Sequence, residues 1–329
     1  MQSTTLRLAI LITALFGLST SNALPDNQEL AKTLKKEGFL TDRSVKYIEL
    51  SSGSQLEQIL NDLNYTPEAW QAGIREIPRL YLTNITPRWR EKTSKEIDVA
   101  TKKRIFFRLL GPLILRSNEM IQKQRDQAQS VFSAMRKGEK IRQEDQALLR
   151  EIAAAYKVLN GETDFADKAL QDRLLRRVDI LPPSLVLAQA AEESGWGTSR
   201  FAAEGNALFG MWTWGEDGVK PKQQRSGLGN YKIAAYKTPL HSVVAYMQNL
   251  NTHQAYRELR ERRAELRKSK AKVTGWELAN TLTKYSERGQ AYVDSLHSLM
   301  KVNRLQPTDD AYLTDGPTIL LFPVEKGAD

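Results

Sequence analysis

The chain of 329 residues contains no cysteine and only three histidines. The absence of cysteine excludes disulfide bonds, zinc–thiolate sites and attachment of a lipid to a cysteine. His241, His253 and His297 are scattered without the spacing of metal ligands, so we expect neither a metal site nor a cofactor. Ser194 has no nearby histidine, which argues against a serine nucleophile.

Long apolar runs are also scarce. The clearest one covers residues 8–18, follows Arg7 and is short for a bilayer span. Small residues then stand at positions 21 and 23, in Ser21-Asn22-Ala23, as at a signal-peptide cleavage site. The sequence therefore predicts an exported protein of the periplasm or cell envelope, with residues 1–23 removed after Ala23. An uncleaved inner-membrane anchor is the alternative. With no second such run, the mature chain is expected to be soluble.

The most informative stretch is the end of a predicted helix over residues 181–193. Pro182 and Pro183 suit its first positions, and Gly195 suits a left-handed cap. A carboxylate at a helix C-terminus faces backbone carbonyls, and burial by Trp196 would disfavour its charge further. A protonated carboxyl group beside an aromatic surface is what cleavage of a glycosidic bond needs. The alternative is an ordinary helix end with solvated glutamates.

Aromatic residues follow this turn closely. Phe209 is more typical of a core, whereas Trp212 and Trp214 alternate on one strand face, either in the core or as a sugar platform. The loop over residues 215–229 predicts a small β-hairpin lobe above a cleft. Its Glu216 either positions the attacking water or belongs to a polar hairpin tip.

These motifs carry a family resemblance that covers residues 165–303. The strings Glu193-Ser-Gly-Trp-Gly197 and Asn206-Ala-Leu-Phe-Gly210 resemble the N-acetylglucosaminidase domain of glycoside hydrolase family 73. The whole chain resembles the bacterial Bax-type envelope proteins. The segments that begin at Tyr236 and Tyr285 are similar to further motifs of the family, although Arg288 stands where the family has aspartate.

The resemblance implies a mainly α, α+β fold with a lysozyme-like catalytic domain and a small β-hairpin lobe. We expect this glucosaminidase domain over residues 161–303, after a helical N-terminal region over 24–160. Residues 304–329 are expected to form a loose tail, in which 319–323 adds an edge strand or docks on the domain. Residues 94–138 predict the longest helix, broken or kinked at Pro112, and 239–302 predict three helices.

The resemblance also assigns residues. Glu193, rather than its neighbour Glu192, is implied as the general acid, and Glu216 is the candidate second carboxylate. Tyr285 orients the substrate or stabilises the transition state, with a buried core tyrosine as the alternative. The residues expected to bind substrate are Trp196, Asn206, Phe209, Trp212, Tyr236 and Tyr256.

The function implied is that of a secreted peptidoglycan hydrolase, an endo-β-N-acetylglucosaminidase without amidase activity, which cleaves the β-1,4 bond on the reducing side of N-acetylglucosamine. A lytic transglycosylase and a catalytically silent wall-binding scaffold are the alternatives. The net charge of +9 favours anionic surfaces, such as the carboxylates of peptidoglycan stems or anionic head groups of the envelope. Nucleic acid is the rival partner, but there is no nucleic-acid-binding motif and the export signal argues against it.

Overall fold

The structure is a computed structural model that describes residues 27–159, 163–224 and 229–324. The predicted signal peptide, residues 1–23, lies outside these ranges. Helices dominate and the strands are short, which confirms the predicted mainly α, α+β class and is compatible with a lysozyme-like domain. Within the described ranges, no helix has the length and apolar character needed to cross a bilayer.

The first half of the chain combines helices with three short strands. In chain order these are α1 (Asn27–Lys36), β1 (Val45–Leu50), α2 (Gly53–Asp62), α3 (Pro67–Gln71), β2 (Glu76–Ile77), β3 (Leu80–Leu82), a π-helical turn (Trp89–Thr93), α4 (Ser94–Glu96), α5 (Val99–Arg136) and α6 (Gln143–Ala155).

Helix α5 is the longest element and is continuous over 38 residues. Asp98 caps its start, because the Asp98 carboxylate accepts from the backbone N–H groups of Ala100 and Thr101 at 2.9 and 3.0 Å. Pro112 lies inside the helix and does not break it, so of the two expected effects the break is wrong and the kink stays a prediction. The residues around Pro112 are buried, and this packing offsets the loss of one helical hydrogen bond.

The second half contains α7 (Lys168–Arg177), α8 (Pro183–Ser194), α9 (Arg200–Gly205), β4 (Trp212–Thr213), β5 (Gly218–Val219), β6 (Lys232–Ala234), α10 (Pro239–Thr252), a 3₁₀ turn (Gln254–Tyr256), α11 (Arg257–Lys268), α12 (Gly275–Ala279), α13 (Gln290–Val302), a 3₁₀ turn (Gln306–Asp310), β7 (Tyr312–Leu313) and β8 (Thr318–Pro323). Four α-helices therefore lie where the sequence predicted three. Strands β4, β6 and β5 form an antiparallel sheet at the position of the predicted lobe.

The end of the chain returns to the first half. Strand β8 lies between β1 and β3 and pairs in parallel with both. Strand β7 pairs with β2 in the same way. The expectation of a loose tail with an edge strand is thus wrong for residues 318–323, which form the central strand of the sheet. Leu320 and Leu321 are fully buried there.

A single buried cluster connects the two halves. It contains Phe106 and Leu113 of α5, Leu185 of α8 and Val243 of α10. Helix α5 packs against both α8 and α10. The N-terminal region and the glucosaminidase-like region therefore share a core, and α5 supports the helix that carries Glu193.

Candidate active site

The turn after α8 places Glu193 in the last turn of the helix, as predicted. Gly195, Trp196 and Gly197 all have positive φ angles, of 55°, 62° and 74°. Ser194 stabilises this turn, since its hydroxyl donates to the carbonyl of Ala190 at 2.6 Å and accepts from the N–H of Gly197 at 2.8 Å. Glycine adopts such angles without strain, which explains the two glycines around Trp196.

The carboxyl group of Glu193 is half-buried among polar and aromatic neighbours. Its Oε1 accepts a hydrogen bond from the Tyr292 hydroxyl at 2.9 Å. Gly210 lies next to the other oxygen, since a Cβ at position 210 would be in van der Waals contact with Oε2 at 3.7 Å, and its φ of 59° favours glycine. Burial raises the pKa of Glu193, helped by the charge of Glu192 and opposed by the Tyr292 hydrogen bond and by Arg288. This carboxyl group therefore retains its proton to higher pH than an exposed glutamate.

Glu192 is in a different situation. Its Oε1 accepts from Arg288 at 2.5 Å, and its Oε2 accepts from the Ser295 hydroxyl at 3.0 Å. Both carboxylate oxygens are thus used within the protein. The arrangement agrees with the choice of Glu193 as the acid, and it gives Arg288 a function at the position where the family has aspartate.

A chain of buried polar side chains supports Glu193. The Tyr246 hydroxyl donates to Oε1 of Gln189, whose Nε2 donates to the Tyr292 hydroxyl at 3.0 Å. Tyr292 then donates to Glu193. Gln189, Tyr246 and Tyr292 are essentially inaccessible to solvent, so the geometry of each is fixed by its neighbours.

Gln189, Tyr246 and Tyr292 are not among the site residues that the sequence predicts. The available signal was the spacing of Gln189 and Glu193, which are four residues apart and share a face of α8. Tyr246 and Tyr292 lie within the family-like segments, but only the fold shows that their hydroxyls meet Gln189.

Tyr285 and Tyr256 line the same cluster. The ring of Tyr285 is stacked on that of Tyr292 at 5.2 Å, and Tyr256 lies 5.8 Å from Tyr285. The Tyr285 hydroxyl donates to the carbonyl of Phe209 at 3.3 Å. Burial raises the pKa of all three tyrosines, so they remain neutral hydroxyls at physiological pH. The predicted roles of Tyr285 and Tyr256 in catalysis and substrate binding stay predictions.

Three of the expected substrate-binding residues have contacts with the framework of the fold. Asn206 is buried, and its side chain accepts from the N–H of Ile85 at 2.8 Å and donates to the carbonyl of Tyr236 at 3.0 Å. Phe209 is stacked on Tyr246 at 3.8 Å. The Tyr236 hydroxyl contacts the sulfur of Met211 at 3.6 Å. Through these contacts Asn206, Phe209 and Tyr236 support the motif, and their expected role in substrate binding stays a prediction.

Trp196 points to α5. Its ring lies edge-on to Phe107 and Phe106 at 5.2 and 5.9 Å, and the ammonium group of Lys103 is 4.7 Å from the ring centroid. Its carbonyl accepts from the indole N–H of Trp89 at 3.1 Å. These contacts place the Trp196 ring against α5, and its expected role in substrate binding stays a prediction. Trp196 joins the catalytic motif to the N-terminal region, and its packing offsets its left-handed backbone.

The β4–β6–β5 lobe carries exposed aromatic residues. Trp212 and Trp214 are 41% and 66% exposed, and Trp212 is stacked on Tyr231 at 4.6 Å. Of the two alternatives, this exposure favours a sugar platform over a core position. Glu216 is exposed in the same lobe, where its backbone carbonyl accepts from Lys232 at 2.5 Å. Its role as a second carboxylate stays a prediction.

The histidines are placed separately in the fold. His241 is buried and bonds to Glu37 and Thr238, whereas His297 is stacked on Trp276. In the part of the chain that the structure describes, no three acidic or histidine side chains are grouped so that they could hold a metal ion.

Residues 168–305 match the glucosaminidase family, described as mannosyl-glycoprotein endo-β-N-acetylglucosaminidase. The second half of the chain is thus a domain of a glycosidase family.

The similarity to a known protein extends beyond that domain. The chain is similar to Protein bax of Escherichia coli (strain K12), with 36% identity over 212 residues that cover 62% of this chain and 70% of that protein. The chain belongs to the Bax-type proteins with a glucosaminidase-like domain. No solved structure matches it.

Proposed function

We propose that the protein is a secreted peptidoglycan hydrolase that cleaves the β-1,4 bond on the reducing side of N-acetylglucosamine. The observation that carries this proposal is the half-buried carboxyl group of Glu193, whose pKa is raised by burial and which Tyr292 orients at 2.9 Å. The glucosaminidase family match supports a glycan as the substrate.

Glu193 acts as the general acid in this proposal. Its raised pKa keeps it protonated until it delivers the proton to the oxygen of the leaving sugar. Either water or the acetamido oxygen of the substrate then attacks the anomeric carbon. Cleavage by water requires a carboxylate to activate it, and Glu216 in the lobe is the candidate. The exposed rings of Trp212 and Trp214 offer stacking surfaces for sugars.

A lytic transglycosylase is the second candidate. That reaction needs one carboxyl group, because the muramic acid hydroxyl attacks within the substrate. The pairing of Glu192 with Arg288 and Ser295 favours it, since Glu193 is then the one carboxyl group of the adjacent pair that is not committed to an ion pair.

Export is part of the proposal. The apolar segment of residues 8–18 and the small residues before position 24 support cleavage after Ala23. N-terminal sequencing of the protein recovered from a bacterial periplasm tests this. Leu24 as the first residue is the expected result, whereas an intact Met1 in the membrane fraction would show an uncleaved anchor.

The sugar ends that the protein generates test the reaction itself. Purified peptidoglycan is digested with the mature protein, and the new ends are identified by mass spectrometry. We expect reducing N-acetylglucosamine ends that are absent with Glu193→Gln and present with the matched control Glu192→Gln. Anhydro-muramic ends would instead identify a transglycosylase. Binding without products, by a folded protein, would point to a wall-binding scaffold.

A further inference from the structure

A groove lies where the N-terminal region meets the start of α8. Its walls come from α3, from the first four turns of α5, from Pro183 and Leu187 of α8 and from residues 303–308. Its volume is about 570 Å³, which lies within the range of ligand-binding sites. Leu187 is about 120° around α8 from Glu193, so the groove and the candidate acid occupy different faces of this helix.

The groove combines an apolar floor with positive charge. Its apolar lining includes Trp70, Val99, Phe107, Leu115 and Leu187. The charged side chains that line it are all cationic: Lys103, Arg104, Arg108 and Arg304.

Nearby carboxylates neutralise part of this charge, because Glu68 attracts Arg104 and Arg108, and Glu57 also attracts Arg108. Arg104 pairs with Glu57 at 3.3 Å. Across the described ranges, Lys103, Arg108 and Arg304 form no ion pair. Lys103 and Arg108 are five residues apart, or about 7.5 Å along α5, and Arg304 adds a third charge from the segment after α13. The positive charge is therefore distributed along the groove rather than concentrated at one point.

Tyr65 adds a polar group that lacks a partner. Its side chain is 9% exposed and lines the groove, with the guanidinium group of Arg108 5.4 Å from its ring centroid. The hydroxyl lies beside Gly111, where a Cβ would be 3.4 Å away, and it has no hydrogen-bond partner in the part of the chain that the structure describes. This hydroxyl is not one of the fully buried side-chain atoms that lack a partner, so it is open to the groove, where a ligand can reach it.

We propose that this groove binds an acidic peptide with small aliphatic side chains, the chemistry of the peptide stems of peptidoglycan. Separated cations match carboxylates spaced along a peptide, and the apolar floor between them matches alanine side chains. A phospholipid head group would place its negative charge at one point, whereas the cations of the groove are spread along it. The choice of stem peptide rests on the proposed function.

The groove would hold the stem peptide close to the catalytic motif. Leu187 in its wall and Glu193 are six residues apart on α8, or about 9 Å along the helix axis. Lys103 contributes to the groove and also lies over the ring of Trp196, next to the turn that fixes Glu193. A bound stem peptide would therefore retain the wall polymer beside the glycosidase site.

The test uses the full-length mature protein and a stem peptide released from peptidoglycan by an amidase, without sugar. Binding is measured by calorimetry at low and physiological salt. The same peptide with amidated carboxyl groups is the ligand control, and phosphatidylglycerol vesicles represent an anionic lipid. The variants are Tyr65→Phe, Lys103→Gln and Arg304→Gln, with Lys123→Gln, an exposed cation of α5 outside the groove, as the matched control.

We expect the stem peptide to bind, and each groove variant to weaken binding by about tenfold, as loss of one charge-assisted hydrogen bond does. Lys123→Gln should leave the affinity unchanged, and amidation or added salt should weaken it. Tyr65→Phe should fold normally, because the hydroxyl has no partner within the described protein. Equal affinity in all variants, absence of peptide binding, or binding to vesicles alone would overturn the inference. Because the peptide carries no sugar, these results do not depend on whether Glu193 cleaves glycans.

Discussion

The hydroxyl of Tyr292 donates a hydrogen bond of 2.9 Å to Oε1 of Glu193. This contact stabilises the ionised carboxylate and so lowers the pKa of Glu193 against the larger, opposite effect of burial. Tyr292 itself is positioned by Gln189. Tyr292 of α13 therefore lowers the pKa of Glu193, which belongs to α8.

Tyr292→Phe should raise the pKa of Glu193, because burial then acts without the opposing hydrogen bond. A general acid works while it is protonated, so the fall of kcat/KM on the basic side should move to higher pH. The pH profile of glycan cleavage measures this shift. Tyr285→Phe is the control, since its hydroxyl bonds to the Phe209 carbonyl rather than to Glu193. A basic limb that stays in place or moves to lower pH in Tyr292→Phe would contradict the explanation.

Glu192 and Arg288 should shift the same pKa in opposite directions. The negative charge of Glu192 raises the pKa of Glu193, whereas the positive charge of Arg288 lowers it. Glu192→Gln should therefore move the basic limb to lower pH, and Arg288→Gln should move it to higher pH. Profiles recorded at low and high salt provide the control, because screening reduces charge effects of this kind. Shifts of the same sign in both variants would show that the pair acts through structure instead.

Glu193→Gln should stabilise the fold at neutral pH. The pKa of Glu193 in the folded protein is above its usual value of 4.5, so ionisation of this carboxyl group opposes folding. Below pH 4.5 this carboxyl group is protonated in both the folded and the unfolded protein, so the parent is as stable as the variant. As the pH rises through the pKa of Glu193 in the folded protein, the parent loses stability relative to the variant. Thermal unfolding from pH 4 to 8 measures it. We expect equal midpoints at the acidic end and a higher midpoint for the variant at the neutral end.

Asp309 holds the start of α8. Its carboxylate accepts from the N–H and hydroxyl of Ser184 and from the N–H of Gly275, each at 2.9 Å. Asp309→Ala should lower the free energy of unfolding by about 2–4 kcal/mol, because partly buried donors lose their acceptor. Asp310→Ala is the matched control. Asp310 forms an exposed ion pair with Lys272, so this substitution should lower the free energy of unfolding by less than about 1 kcal/mol. Urea unfolding compares the two, and equal losses would contradict the capping role.

Local sequence signals predicted the elements around Glu193 well. These signals are the proline pair, the glycines after Ser194 and the helical spacing. Each involves only residues that are close in sequence, so each can be recognised in a single sequence. The same holds for the long helix predicted over residues 94–138, which corresponds to α5. Pro112 shows the limit of such signals, because the tertiary packing around α5 outweighs the tendency of proline to end a helix.

Relationships between distant segments could not be predicted. Strand β8 lies between β1 and β3, more than 230 residues away in sequence, and no local pattern specifies that order. The direction of Trp196 depends on α5, and the contact of Tyr292 with Glu193 depends on how α13 packs on α8. The predicted aromatic neighbour of the acid was therefore a tryptophan, whereas the structure provides tyrosines.

The role of Glu193 as the general acid is tested most directly by the leaving group of the substrate. Parent and Glu193→Gln are compared on a natural glycan and on a dinitrophenyl glycoside of the same sugar, whose leaving group departs without a proton. General acid catalysis predicts a loss of about 10²–10⁴-fold on the glycan and a much smaller loss on the dinitrophenyl glycoside. Full activity of the variant on the glycan, or equal losses on both substrates, would contradict the assignment.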